Sequence, residues 1–99
     1  LKHSSTNWSS EVERERRSRI CLSLWAYAYE FEADSLVSDA HFDGEAALID
    51  PQLLTGNEKL DKFFREEFDP NTGVWVRRHP ELAKIKSLYL KVKGRKPWV

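Results

Sequence analysis

The chain has 99 residues, 40% of them apolar and 12% aromatic, with 16 Lys and Arg matched by 16 Asp and Glu. That suits one domain with a core of its own, leaves no room for a second core, and is too apolar for a disordered tail. No apolar run approaches the roughly 18–20 residues of a membrane span and no signal-peptide pattern opens the chain, so a soluble, cytoplasmic protein is expected.

In chain order, residues 1–9 are polar, Ser-rich and without period, and are expected to be a frayed end. Ser10 and Glu13 have the spacing of a capping box, and Glu11 and Glu13 suit the positive end of a helix dipole. Ile20, Leu24, Tyr27 and Phe31, flanked by Cys21, Trp25 and Ala28, then recur at helical spacing. One long helix over 11–33 is predicted, with that face inward. After a short connector, Ser38 caps a second helix with Asp39 in its first turn and Phe42, Ala46 and Ile49 on one face, stopped near Pro51. Gly56 and Asn57 open a third helix with Leu60, Phe63, Phe64 and Phe68 inward. Pro70, Asn71 and Gly73 mark a turn over 69–73, and 74–76 reads as an extended segment or minor strand. His79, Pro80 and Glu81 open a last helix with Leu82, Ile85, Tyr89 and Val92 inward, which Gly94 ends. The expected architecture is a single all-α domain over 10–94 with at most one very short strand, followed by a basic tail over 95–99 in which Trp98 packs back. With no methionine even at position 1, some leading residues are expected to have been removed.

The zero net charge hides a split. Residues 1–76 hold 8 basic and 15 acidic residues, whereas 77–99 hold 8 basic residues against Glu81 alone. The basic set (Arg77, Arg78, Lys84, Lys86, Lys91, Lys93, Arg95 and Lys96) suits a phosphate backbone; equally, the two segments face each other in the fold or across a dimer. A lone Cys21 excludes an internal disulfide framework or a cysteine-rich zinc site, and it reads as a buried thiol with no basic neighbour one turn away. His3, His41 and His79 have no metal-ligand spacing, so no metal is expected. No Gly-rich phosphate loop, nucleophile elbow or kinase signature is present.

Residues 25–43 read W-A-Y-A-Y-E-F-E-A-D-S-L-V-S-D-A-H-F-D. This stretch resembles the N-terminal Ia domain of NAD-dependent DNA ligases. That domain is a small helical cap for the nicotinamide mononucleotide (NMN) half of NAD, in which a Tyr-rich helix precedes a Ser/Pro-Asp-Ala-Glu-Tyr-Asp turn. The family's His-Pro-Glu-Leu recurs here at His79, Pro80, Glu81 and Leu82, but only after an added helix and turn. The close match covers about a fifth of the chain.

The resemblance implies a ligand set. Tyr29 takes the place of the ring that stacks on nicotinamide, and Asp39 and Asp43 match the turn's two aspartates. Glu30 stands where the family has His, and Phe42 where it has Tyr. An aromatic face attracts a pyridinium cation, and carboxylates accept hydrogen bonds from ribose hydroxyls or the carboxamide. Read without the resemblance, Tyr29 and Phe42 are core candidates and the two aspartates are helix-start acids. The ligases' nucleophilic lysine lies in a separate domain with a Lys-x-Asp-Gly motif; Lys59, Leu60, Asp61 and Lys62 lack its glycine. A free-standing, non-catalytic, DNA ligase-related protein that binds NMN or NAD is therefore expected, of a kind anticipated among bacteriophages. The alternatives are a protein-interaction module engaging a host or replication protein without a small ligand, and nucleic-acid binding through the basic segment.

Overall fold

The computed structural model describes residues 2–95, with side chains described over 11–94. Of the tail expected over 95–99, residues 96–99, with Lys96 and Trp98, lie outside the described residues, as do the side chains of His3 and Arg95. Four α-helices form the fold: α1 (Lys2–Glu32), α2 (Asp39–Ala46), α3 (Glu58–Glu67) and α4 (Leu82–Arg95), with a 3-10 helix (Val74–Arg78) before α4. The protein is all-α, and the described residues contain no strand.

α1 is the spine on which α2, the 3-10 helix and α4 pack. It begins upstream of the predicted cap, so Ser10 lies inside the helix and the segment expected to fray continues it. No Pro or Gly stands in 2–10 to interrupt the ladder, and extending a formed helix costs far less than nucleating one. Leu22, Leu24, Ala26, Tyr27 and Ala28 are buried, but Ile20 and Phe31, expected inward, are 48% and 42% exposed. With neighbours on more than one side, α1 buries a wide arc, including the alternate positions 22, 24, 26 and 28 that a single stripe would not contain. Against this arc pack Phe63, Phe64, Trp75, Val76, Ile85 and Tyr89. The Trp75 ring lies 5.5 Å from that of Phe64 and 5.2 Å from that of Phe68, and its indole N–H donates to the Thr72 carbonyl at 2.7 Å.

The predicted cap at Ser38 is present, and the helix expected to open at 56–57 is capped by Asn57: Ser38 Oγ accepts from the His41 N–H and Asn57 Oδ1 from the Leu60 N–H, both at 3.1 Å. Other local expectations fail: α2 ends at Ala46, short of Pro51, and leaves Ile49 in the connector, and α4 opens at Leu82 rather than at Pro80. Residues 74–76 are not extended, because Val76 donates to the Gly73 carbonyl and His79 to that of Val76, the i to i+3 pattern of a 3-10 helix. Trp75 and Val76 are consecutive and both buried, which the alternating faces of a strand do not provide. Nor does Gly94 end α4, which runs to Arg95; only Gly56 among the described glycines has the positive φ, 95°, of a left-handed cap.

A buried ionic cluster ties the connector between α2 and α3 to α1. Arg19, 4% exposed, donates to Glu15 at 2.8 Å and Asp61 at 2.9 Å, and to the carbonyls of Asp50 and Leu53. Its guanidinium lies 5.0 Å over the Phe64 ring. Glu15 accepts the Asp50 N–H, and Asp61 accepts both the N–H and the hydroxyl of Thr55. Arg16 donates to the Thr55 carbonyl from Nε and Nη2.

Candidate functional site

The C-terminal turns of α1, the connector after it, the start of α2 and the turn before the 3-10 helix enclose an open cavity of about 330 Å³. Helical spacing lays Trp25 beside Tyr29 and Ala26 beside Glu30 along one wall. Ala33 then turns the chain with φ 53°, a left-handed conformation that a non-glycine residue adopts at a cost of roughly 1–2 kcal/mol. The Asp34 N–H returns to the Ala28 carbonyl at 2.9 Å. Ser35, Leu36 and Val37 follow as a second wall.

Asp34 anchors that wall to α4. Its carboxylate accepts from Lys93 Nζ at 2.9 Å and from the Tyr89 hydroxyl at 2.8 Å, and these two bonds hold its carboxyl below the usual range. Burial, and then donation to Asp34, pushes the Tyr89 hydroxyl up to about 12.

The Ser38 cap starts α2 so that Asp39, Phe42 and Asp43 face the cavity from its first two turns. Asn71, Thr72 and Gly73 close the far side. Their turn is held by the Asp69 carboxylate accepting the Asn71 N–H at 2.9 Å and by Thr72 Oγ1 accepting the Val74 N–H at 3.2 Å. Gly73 is favoured by a close approach: a Cβ there would lie 3.2 Å from Ala26 Cβ, tighter than side chains ordinarily pack.

All five residues named by the resemblance (Tyr29, Glu30, Asp39, Phe42 and Asp43) line this one cavity. Tyr29 is 62% exposed, Phe42 is half-buried against the core, and both aspartates are exposed. Among the described residues, no hydrogen bond or ion pair engages the Asp39 or Asp43 carboxylate, or the Tyr29 hydroxyl. Glu30 differs: its carboxylate accepts from Arg77 Nε at 3.0 Å, and its carbonyl from Arg77 Nη2 at 3.3 Å. The lining thus presents an open aromatic face, two uncommitted carboxylates and a neutralised third. It contains no Lys, Arg, His or Cys. Sequence reasoning missed Asn71, Thr72 and Gly73; their only local signal is that of a turn.

The basic segment is largely drawn into the fold's own charge pairs. Arg77 pairs with Glu30, Arg78 with Glu67 at 3.0 Å, Lys84 with Glu81 at 3.5 Å and Lys93 with Asp34, while Lys86 and Lys91 are exposed on α4. Each such surface pair contributes little stability, but together they intersperse the two signs that the sequence separates.

His41 is exposed, its ring edge-on to Trp25 at 5.2 Å. His79 is 7% exposed and its Nδ1 accepts the Glu81 N–H at 3.0 Å; burial lowers its pKa to about 4, against a weaker raising effect of Glu81, so the ring is neutral. It lines a second, mostly apolar groove of about 310 Å³ between α1, α3 and α4. Cys21 is half-buried rather than buried, and its thiol is pushed up first by burial and then by Glu45. Arg17, one turn before it, is a basic neighbour after all and opposes that rise without overcoming it. Among the described residues no three His, Cys, Asp or Glu side chains gather as a metal site, and no helix is long and apolar enough to cross a membrane. No protein-family model, curated protein or solved structure matches the chain.

Proposed function

We propose that the cavity between α1, α2 and the turn before the 3-10 helix binds a nicotinamide-containing nucleotide, NMN or NAD-like, without reacting with it, as the likeness of residues 25–43 to the ligase Ia domain implies. One observation carries the reading: the five residues which that likeness singles out line a single open cavity, with the Tyr29 ring accessible and the Asp39 and Asp43 carboxylates free to accept. A pyridinium over an exposed aromatic face gains roughly 0.5–1 kcal/mol, and more once water is displaced. Phe42 keeps the ring of the family's tyrosine but not its hydroxyl, which removes about 1 kcal/mol of net hydrogen bonding. The charge that Glu30 introduces is offset by Arg77. A cavity of this volume falls at the small end of ligand sites. Binding without chemistry suits a lining that offers no Lys, His or Cys. The protein then sequesters the nucleotide or delivers it to a partner.

Titration calorimetry tests this. NMN and NAD are expected to release heat at micromolar to millimolar concentrations, ADP-ribose (which lacks the nicotinamide ring) is not, and Asp39→Ala combined with Asp43→Ala abolishes the signal. Absence of heat from wild type at millimolar NMN and NAD ends this reading.

A further inference from the structure

The cavity that suits a pyridinium ring is ill-suited to the other end of a nucleotide. A phosphomonoester carries about −1.5 to −2 charges near neutral pH, and the lining holds Glu30, Asp39 and Asp43 with no cation to meet it. Arg77, from the 3-10 helix and not itself in the lining, touches it through Glu30. It is fixed at three points: Nε on the Glu30 carboxylate, Nη2 on the Glu30 carbonyl, and the guanidinium 5.0 Å over the Phe31 ring. Phe31 is itself stacked on Tyr27 at 5.0 Å. Yet the Arg77 side chain remains 52% exposed, and among the described residues nothing accepts from its Nη1. Lys93 on α4, which anchors the connector wall, is turned to Asp34, which is outside the lining.

Resting on the nucleotide reading above, we propose that Arg77 is the phosphate-recognising side chain at the rim of the cavity, and that it sets a preference for the nucleotide over the corresponding nucleoside. The guanidinium presents a pre-oriented fork whose remaining N–H groups suit phosphate oxygens, and because Arg77 is held in place, little side-chain entropy is lost on binding. Its ion pair with Glu30 has a second effect. Removing Arg77 releases a carboxylate beside the ligand, which repels phosphate and attracts the ring cation.

The test is calorimetry with nicotinamide riboside and NMN against wild type, Arg77→Ala, Arg77→Lys and Lys93→Ala, with the fold of each variant checked by circular dichroism. Arg77→Ala is expected to weaken NMN by about tenfold or more, the usual consequence of losing a charge-assisted hydrogen bond. The same variant leaves riboside binding unchanged or tighter, and Arg77→Lys retains part of the NMN preference. Equal weakening of both ligands by Arg77→Ala, or an unchanged ratio between them, overturns this proposal while leaving the nucleotide reading intact. So does an equal change of ratio in Lys93→Ala, which marks a general field rather than a contact. Wild type that binds neither ligand overturns both readings together.

Discussion

Two clusters of charged side chains sit on α1 about three turns apart, and they use their charge in opposite ways. Around Arg19, each buried polar side-chain atom has a partner: Glu15, Asp61, Thr55 and the carbonyls of Asp50 and Leu53 close a network that is nearly as buried as the aromatic core beside it. Around Tyr29, the charges lie at the surface; Glu30 is answered by Arg77, whereas Asp39 and Asp43 face an open cavity with nothing described accepting or donating to them. A satisfied network in a low-dielectric interior fixes the chain, here the connector over 50–57, and its loss exposes each member to its full desolvation cost. Open carboxylates add little to the fold and remain available to a ligand.

That contrast yields graded expectations. Arg19→Ala leaves Glu15 and Asp61 buried without their cation and is expected to cost about 3–5 kcal/mol in denaturant unfolding. A loss below about 1 kcal/mol would show the cluster to be solvated like any surface charge and would dissolve the contrast.

Next comes His79, whose neutral ring belongs to the buried side of the comparison. Its pKa falls from 6.5 to about 4 on folding, so as pH drops below 6.5 the unfolded chain takes up a proton that the native protein refuses. Stability is therefore full above pH 6.5, declines between 6.5 and 4, and levels off below. The decline is roughly 2–3 kcal/mol, discounted from the full shift because the groove beside the ring admits solvent. His79→Asn, which keeps an acceptor for the Glu81 N–H, should flatten the stability profile over that interval; an unaltered slope assigns it to other groups. Asp34 and Asp61 add a further decline only below the ordinary carboxyl range. Lys93 and Tyr89 depress Asp34, whereas at Asp61 burial works upward and the Thr55 and Arg19 hydrogen bonds outweigh it.

The smallest effect belongs to the open cluster. Tyr29→Ala, and Asp39→Asn combined with Asp43→Asn, are expected to change unfolding stability by no more than about 0.5 kcal/mol, as surface substitutions do. A cost of about 2 kcal/mol or more in the same measurement would make them structural residues, and the contrast between the two clusters would no longer hold.

How far each cluster could be read in advance follows from the same physics. Ser38 and Asn57 cap their helices through side-chain bonds only three residues long, so their sequence neighbourhoods suffice to place them. Phe63 and Phe64 lie on the predicted inner face of α3 for the equally local reason of helical period. The near wall of the cavity shares this legibility, since residues 25–43 are a single hairpin of two helices and a short connector. Its far wall does not: Gly73 meets Ala26 across 47 positions of chain, and nothing about the turn over 69–73 announces that neighbour. Least legible is the cluster around Arg19, because Glu15, Arg19 and Asp61 look like ordinary solvated helix charges until Asp61 is brought 42 positions back to α1.

Composition and local pattern were thus enough for an all-α protein, for the caps of α2 and α3 and for the core face of α3, because each rests on hydrogen bonds or side-chain spacing within one or two turns. Tertiary packing alone decided that Ile20 and Phe31 face outward while Arg19 is enclosed, and that a remote turn completes the cavity. Whether a charge stays in water depends on whether distant partners arrive to replace its hydration, and that balance is struck only once the whole chain has folded.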